Sequence, residues 1–185
     1  MKTCFFASIF CLIFLPSCYA ARIDGPYDGR VIDADTGRPI EGVVVLGTWD
    51  RETPTPAGAV HHYYDATETV TDKNGEFKIK GFGLLILSDV IPMDVLIFKA
   101  GYEYWGLGPW SGLKKGYLSS KKVRWEGKKA IIPLRKLTRE ERRKNVPPLP
   151  PGEAPYKKVK LMLAEYNKNS KELGLGIIDM WRDMR

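Results

Sequence analysis

From Asp28 onward the apolar residues fall in short runs, many alternating with polar ones and bounded by turn-forming residues, so the pattern predicts strands rather than helices. GRVIDADTGRPIEGVVVLGTW predicts a strand over 29–33, a tight turn over 34–39 built on Asp35, Gly37 and Pro39, and a strand over 42–49. In the second strand Val43, Val45 and Gly47 share one face and Val44 and Leu46 the other. Two apolar faces mark a strand covered on both sides, since a solvent-backed strand would alternate apolar with polar. Residues 50–64, with Pro54, Pro56 and Gly58, read as a long loop because proline cannot donate into a ladder.

TETVTDKNGEFKIKGF reads as a hairpin: Thr67, Thr69 and Thr71 lead into a turn at Asp72–Gly75, and Phe77 and Ile79 alternate with lysines after it. Further strands are expected over 90–100, near 121–125 and over 129–134, with a second long loop over 102–116 that carries Trp105 and Trp110. The fold class is therefore all-β, a seven-stranded sandwich over residues 27–138. Residues 139–155, charged and then proline-rich, read as a linker, 156–173 as an amphipathic helix and 174–185 as a tail. Val159, Met162, Leu163 and Tyr166 form the helix's apolar stripe. An isolated amphipathic helix is marginal in water, so the stripe is expected to dock on the sandwich, on another chain or on a membrane.

The first 20 residues change the picture of where this domain works. One lysine, an apolar run from Phe5 to Leu15 and a small residue at Ala20 fit a signal peptide better than a membrane span, and a retained anchor is the alternative. LPSC at 15–18 resembles the lipobox of bacterial lipoproteins, with Pro16 departing from that motif; acylation of Cys18 would tether the product to a membrane. Either route implies export, to the periplasm or to a membrane-tethered position at the bacterial cell envelope. The three cysteines all lie within the first 18 residues, so the rest of the chain has neither disulfides nor thiolate ligands.

Strand and turn residues together carry a resemblance. Gly29–Asp33, Thr36–Val45 and Thr69–Phe77 resemble, in that order, the carboxypeptidase regulatory-like domain, whose fold is the transthyretin-like or prealbumin-like Greek-key β-sandwich. The resemblance covers about residues 28–137. It implies an accessory, scaffolding or binding module, as beside metallocarboxypeptidases, at the start of outer-membrane transporters or in surface proteins. It does not imply peptidase activity. The two histidines, His61 and His62, are adjacent and point to opposite sides of a strand, whereas a carboxypeptidase zinc site takes two separated histidines and a glutamate. The C-terminal Tyr-Arg-Gly-Ser pattern of the related urate-pathway hydrolases is also missing.

Charge is unevenly placed. The chain has 29 Lys+Arg and 22 Asp+Glu, yet residues 21–113 are net acidic and the excess of basic residues is concentrated in 114–144. That basic stretch, with nearby aromatic residues, makes Trp105, Trp110, Tyr117, Lys121, Arg124, Lys128 and Lys129 the expected ligand or partner surface. For an exported chain the partner is an envelope protein or glycan, or anionic lipid, and no nucleic-acid module is visible. Lysines that protect a sheet edge explain the same residues in structural terms. His61, His62 and Asp65 raise a metal or hydrolase alternative around His61 and Trp105, against a plain polar loop. Asp24, Asp28, Asp33, Asp35 and Asp72 lack calcium-loop spacing, and glycines 101, 106, 108, 112 and 116 lack a phosphate-loop ending, so no cofactor is expected. The leading function is a noncatalytic envelope module that binds or scaffolds a partner. A structural subunit that docks through the C-terminal helix is a further alternative.

Overall fold

The computed structural model describes residues 21–106, 108–113 and 122–178. The leader with Cys18, the positions Tyr117 and Lys121, and the tail beyond residue 178 lie outside the described residues. Nine strands are described: β1 (Ala21–Asp24), β2 (Tyr27–Asp33), β3 (Val44–Thr55), β4 (Gly58–Val70), β5 (Glu76–Ile79), β6 (Gly83–Ile86), β7 (Asp94–Phe98), β8 (Arg124–Glu126) and β9 (Lys129–Leu134). Two helices follow, α1 (Arg139–Lys144) and α2 (Tyr156–Leu173). The strands form three sheets ordered β5-β2-β9-β8, β4-β3-β7 and β1-β6. The four-stranded sheet is mixed, because β2 and β9 run parallel, and the other two sheets are antiparallel throughout.

The two larger sheets share one core. Val31 from β2, Val45 and Trp49 from β3, Phe77 and Ile79 from β5, Val95 and Ile97 from β7, and Ile132 and Leu134 from β9 are all buried in it. The opposite face of β3 and β7 builds a second core: Val44, Leu46, Leu96 and Phe98 meet Val159, Met162, Leu163 and Tyr166 of α2. The two apolar faces expected of β3 are thus both covered. The helix stripe is buried against the chain's own sheet, with the Phe98 and Tyr166 ring centroids 5.2 Å apart. Glu68 of β4 accepts hydrogen bonds from the Leu161 and Met162 amides at 2.9 and 2.6 Å, and Asp65 pairs with Lys158 at 2.8 Å.

Four expectations need correction. The seven-strand reading missed β1 and β6: β1, ARID, alternates but is only four residues long, and β6, GLLI, lacks the alternation that marks a half-buried strand. Residues 50–64 are not a loop: β3 and β4 continue as a long exposed two-stranded arm paired as far as Thr55 and Gly58, where the prolines face no central ladder. The Asp72–Gly75 turn exists, but β4 pairs with β3 and β5 with β2, so it carries the chain from one sheet to the other instead of closing a hairpin. Asp72 Oδ1 accepts from the Asn74 and Glu76 amides at 2.9 and 2.8 Å, and Gly75, at φ +74°, approaches the β2 backbone where a Cβ would lie 2.4 Å from the Val31 carbonyl. The linker also contains α1, started by a capping box in which Thr138 and Glu141 satisfy each other's backbone amides.

Candidate functional site

The expected surface around β8 and β9 separates into a buried part and an exposed part. Trp105 and Trp110 are 4% and 8% exposed and belong to the core, so neither offers a ring face to a sugar or peptide. The cause is local: Trp105 bridges back to Ile97 through reciprocal backbone hydrogen bonds, and Trp110 opens a single 3-10 turn that drops its ring into the core. Trp110 is boxed by Tyr27, Phe77 and Trp125, at centroid distances of 5.7, 6.0 and 5.6 Å. Among the described residues Trp125, on edge strand β8, is the tryptophan left outside, 41% exposed. The RWE alternation around it was the available signal that it faces differently from its charged neighbours.

The basic residues are less free than their number suggests. Lys129 pairs with Glu76, and Lys78 pairs with Asp28 at 3.3 Å. Together with Lys128 they line an open depression of about 550 Å³ that also holds Asp72, Glu126 and Phe77. Arg124 and Lys122 line a second depression of about 530 Å³ with Asp33 and Asp35. There burial pushes the Asp33 carboxyl up, but hydrogen bonds from Thr36 and Asp35 outweigh it and hold the group below the usual carboxylate range. The surface therefore juxtaposes both signs of charge, because parallel pairing sets the basic β8–β9 hairpin beside β2 and its acidic flanks.

Farther along the basic stretch, the arginines serve the fold. Arg142 donates to Asn169 Oδ1 at 2.9 and 2.7 Å and pairs with Glu172 at 2.6 Å. Arg139 and Arg143 donate to the Leu173 carbonyl at 3.3 and 3.0 Å. Cations thus sit at the C-terminal end of α2, where the helix dipole favours them. Arg135 pairs with Glu141 at 2.9 Å.

On the β3–β4 arm His61 lies opposite Glu52, with Nε2 3.5 Å from the carboxylate, and is half exposed. A register shift between Trp49 and Asp50 re-aims the strand here. Burial, then the charge of Asp50, raises the Asp94 carboxyl above its ordinary value, and His61 opposes the shift. The Tyr63 phenol is pushed up to about 12 by burial, then by Asp65 and Asp50. Among the described residues no group of three His, Cys, Asp or Glu is placed to hold a metal ion. His61 is brought to carboxylates on the arm, while the Trp105 side chain lies in the core.

No protein-family model matches the chain, and no curated protein does. Among solved structures, a 3-chlorocatechol 1,2-dioxygenase from Rhodococcus opacus 1CP is similar over 62% of each chain, at 16% identity and a TM-score of 0.31. A likeness at that level carries no argument about this chain. Among the described residues no helix is long and apolar enough to cross a membrane.

Proposed function

We propose that the chain is a noncatalytic, exported module of the cell envelope that binds or scaffolds a protein partner, built on a carboxypeptidase regulatory-like, transthyretin-like domain. The family reading is supported by the ordered residue runs Gly29–Asp33, Thr36–Val45 and Thr69–Phe77, and the export reading by the leader. The observation that carries the binding reading is Trp125, exposed on a three-residue edge strand beside the mixed-charge depression of Asp28, Glu76, Glu126, Lys78, Lys128 and Lys129. Paired charges of both signs around an aromatic anchor suit a protein segment better than a uniform polyanion, because each rim charge meets an opposite one while the ring supplies apolar area.

The test is quantitative recovery of envelope proteins on the immobilised full chain, compared with Trp125→Ala and Lys128→Glu. The reading expects specific proteins retained by the wild-type chain and lost from both variants, with anionic glycan bound no better by wild type than by the variants. Equal recovery on all three chains would overturn it.

A further inference from the structure

The β1–β6 ribbon presents an apolar face that none of the described residues covers. Register pairs Ala21 with Ile86 and Ile23 with Leu84, which sets these residues on one side, while Arg22 and Leu85 pair on the other. The inner side is tied down: Leu85 packs on the main core and Arg22 donates to the Val90 carbonyl. The outer side is open, with Ile23 76%, Leu84 64% and Ile86 64% exposed. Leu87, directly after β6, is 82% exposed and holds a left-handed backbone at φ +49°, an uncommon arrangement for a branched side chain. No charged residue belongs to this face.

What lies upstream identifies its occupant. The apolar run Phe5–Leu15 and Cys18 precede β1, and Ala21 is only three residue steps from Cys18. Three extended residues reach about 10 Å. A leader or an acylated Cys18 seated in a bilayer therefore delivers this ribbon to the lipid surface ahead of every other element. We infer that the outer face of the β1–β6 ribbon, Ile23, Leu84, Ile86 and Leu87, seats the domain on a lipid bilayer, with these side chains at the boundary of headgroups and acyl chains. The inference rests on the envelope reading above and names the surface on which the module sits. Lipid satisfies this face without specific partners: it supplies apolar area to uncharged side chains, while the β1–β6 ladder pairs the backbone groups that the two strands turn toward each other and leaves the edge groups to the hydrated headgroup layer.

The test uses the full chain, purified in the form the exporting cell leaves it, on vesicles of phosphatidylethanolamine and phosphatidylglycerol brominated near the top of the acyl chains. Leu84→Trp is the reporter, Ile177→Trp is an exposed control away from the ribbon, and wild-type emission is subtracted from both. Matching circular dichroism checks that each variant folds. The expected result is quenching several-fold greater at position 84 than at 177, abolished when Ile23→Asp is added to the reporter chain. A chain that floats with vesicles yet quenches equally at 84 and 177 would overturn the inference, leaving an envelope module that is tethered but not seated by this face. A chain that does not float overturns it as well, and recovery on Trp125 variants then judges the envelope reading separately.

Discussion

The Asp24 carboxylate accepts the Trp49 indole N–H at 3.0 and 3.2 Å, although 25 residues separate them in the chain. Asp24 is fully buried and also accepts from the Tyr27 hydroxyl at 2.6 Å, the Phe82 amide at 3.0 Å and Arg22 at 3.1 Å. One side chain thus fastens β1 and the entry to β6 onto the main core. Burial, then the hydrogen bond to Asp24, holds the Tyr27 phenol well above its ordinary value.

Replacing Asp24 with alanine leaves several buried donors without an acceptor. Asp24→Ala is expected to cost about 3 kcal/mol or more of unfolding free energy. Urea unfolding measures this, and a loss below about 1 kcal/mol would show that water or rearrangement replaces the carboxylate.

Gly29 supports the same core by having no side chain. A Cβ there would lie 2.3 Å from the Phe77 ring, which cannot retreat because Trp110 packs edge-on at 6.0 Å. Gly29→Ala is expected to lose about 1–3 kcal/mol and to disturb the near-ultraviolet aromatic signal. An unchanged spectrum with unchanged stability would contradict the packing described for Phe77.

The docking of α2 is tested by Met162→Ala. Met162 is fully buried between the helix and the outer face of β3 and β7, so its truncation is expected to cost about 2–5 kcal/mol. Lys160→Ala, on an exposed position of the same helix, is expected to stay within about 0.5 kcal/mol. Similar losses for the two variants would mean that the stripe is not held against the sheet.

Acid should loosen the start of α1. The Arg135 guanidinium, then the Thr138 amide, holds the Glu141 carboxyl down at about 2, from an ordinary 4.5. A depressed folded-state value means that the unfolded chain binds the proton more readily. The contribution is therefore present above about 4.5 and lost as pH falls toward 2. Carbon-detected titration of Glu141 should give a midpoint near 2, and a midpoint at the ordinary value would break the capping arrangement. Thr138→Ala should independently cost about 1 kcal/mol.

Much of the strand framework was legible in short-range pattern. β9 was read with the bounds it has, α2 likewise, and the two covered faces of β3 followed from consecutive valines, because side chains on a strand alternate sides whatever they pack against. The β3–β4 arm was missed because Pro54 and Pro56 argue against a central strand but not against an exposed edge. The partner surface was half legible. Lys128 and Lys129 line the depression proposed to bind a partner and Arg124 lines the neighbouring one, but which tryptophans face out depends on how the chain after β7 folds back, and that left Trp125 outside and Trp105 and Trp110 within.

By itself the sequence determined the all-β class, the turns at 34–39 and Asp72–Gly75 and the amphipathic helix, and its first 20 residues carry the expectation of export. These depend on residues close in the chain, where alternation, capping and turn chemistry act. Tertiary structure alone decided that Asp72–Gly75 joins two sheets, that basic β8–β9 residues meet acids beside β2, that Asp24 is a buried acceptor, and that Ile23 and Leu84 share an uncovered face. Those facts follow from pairings between residues distant in sequence, whose register is set by burial across the whole domain rather than by any local run of residues.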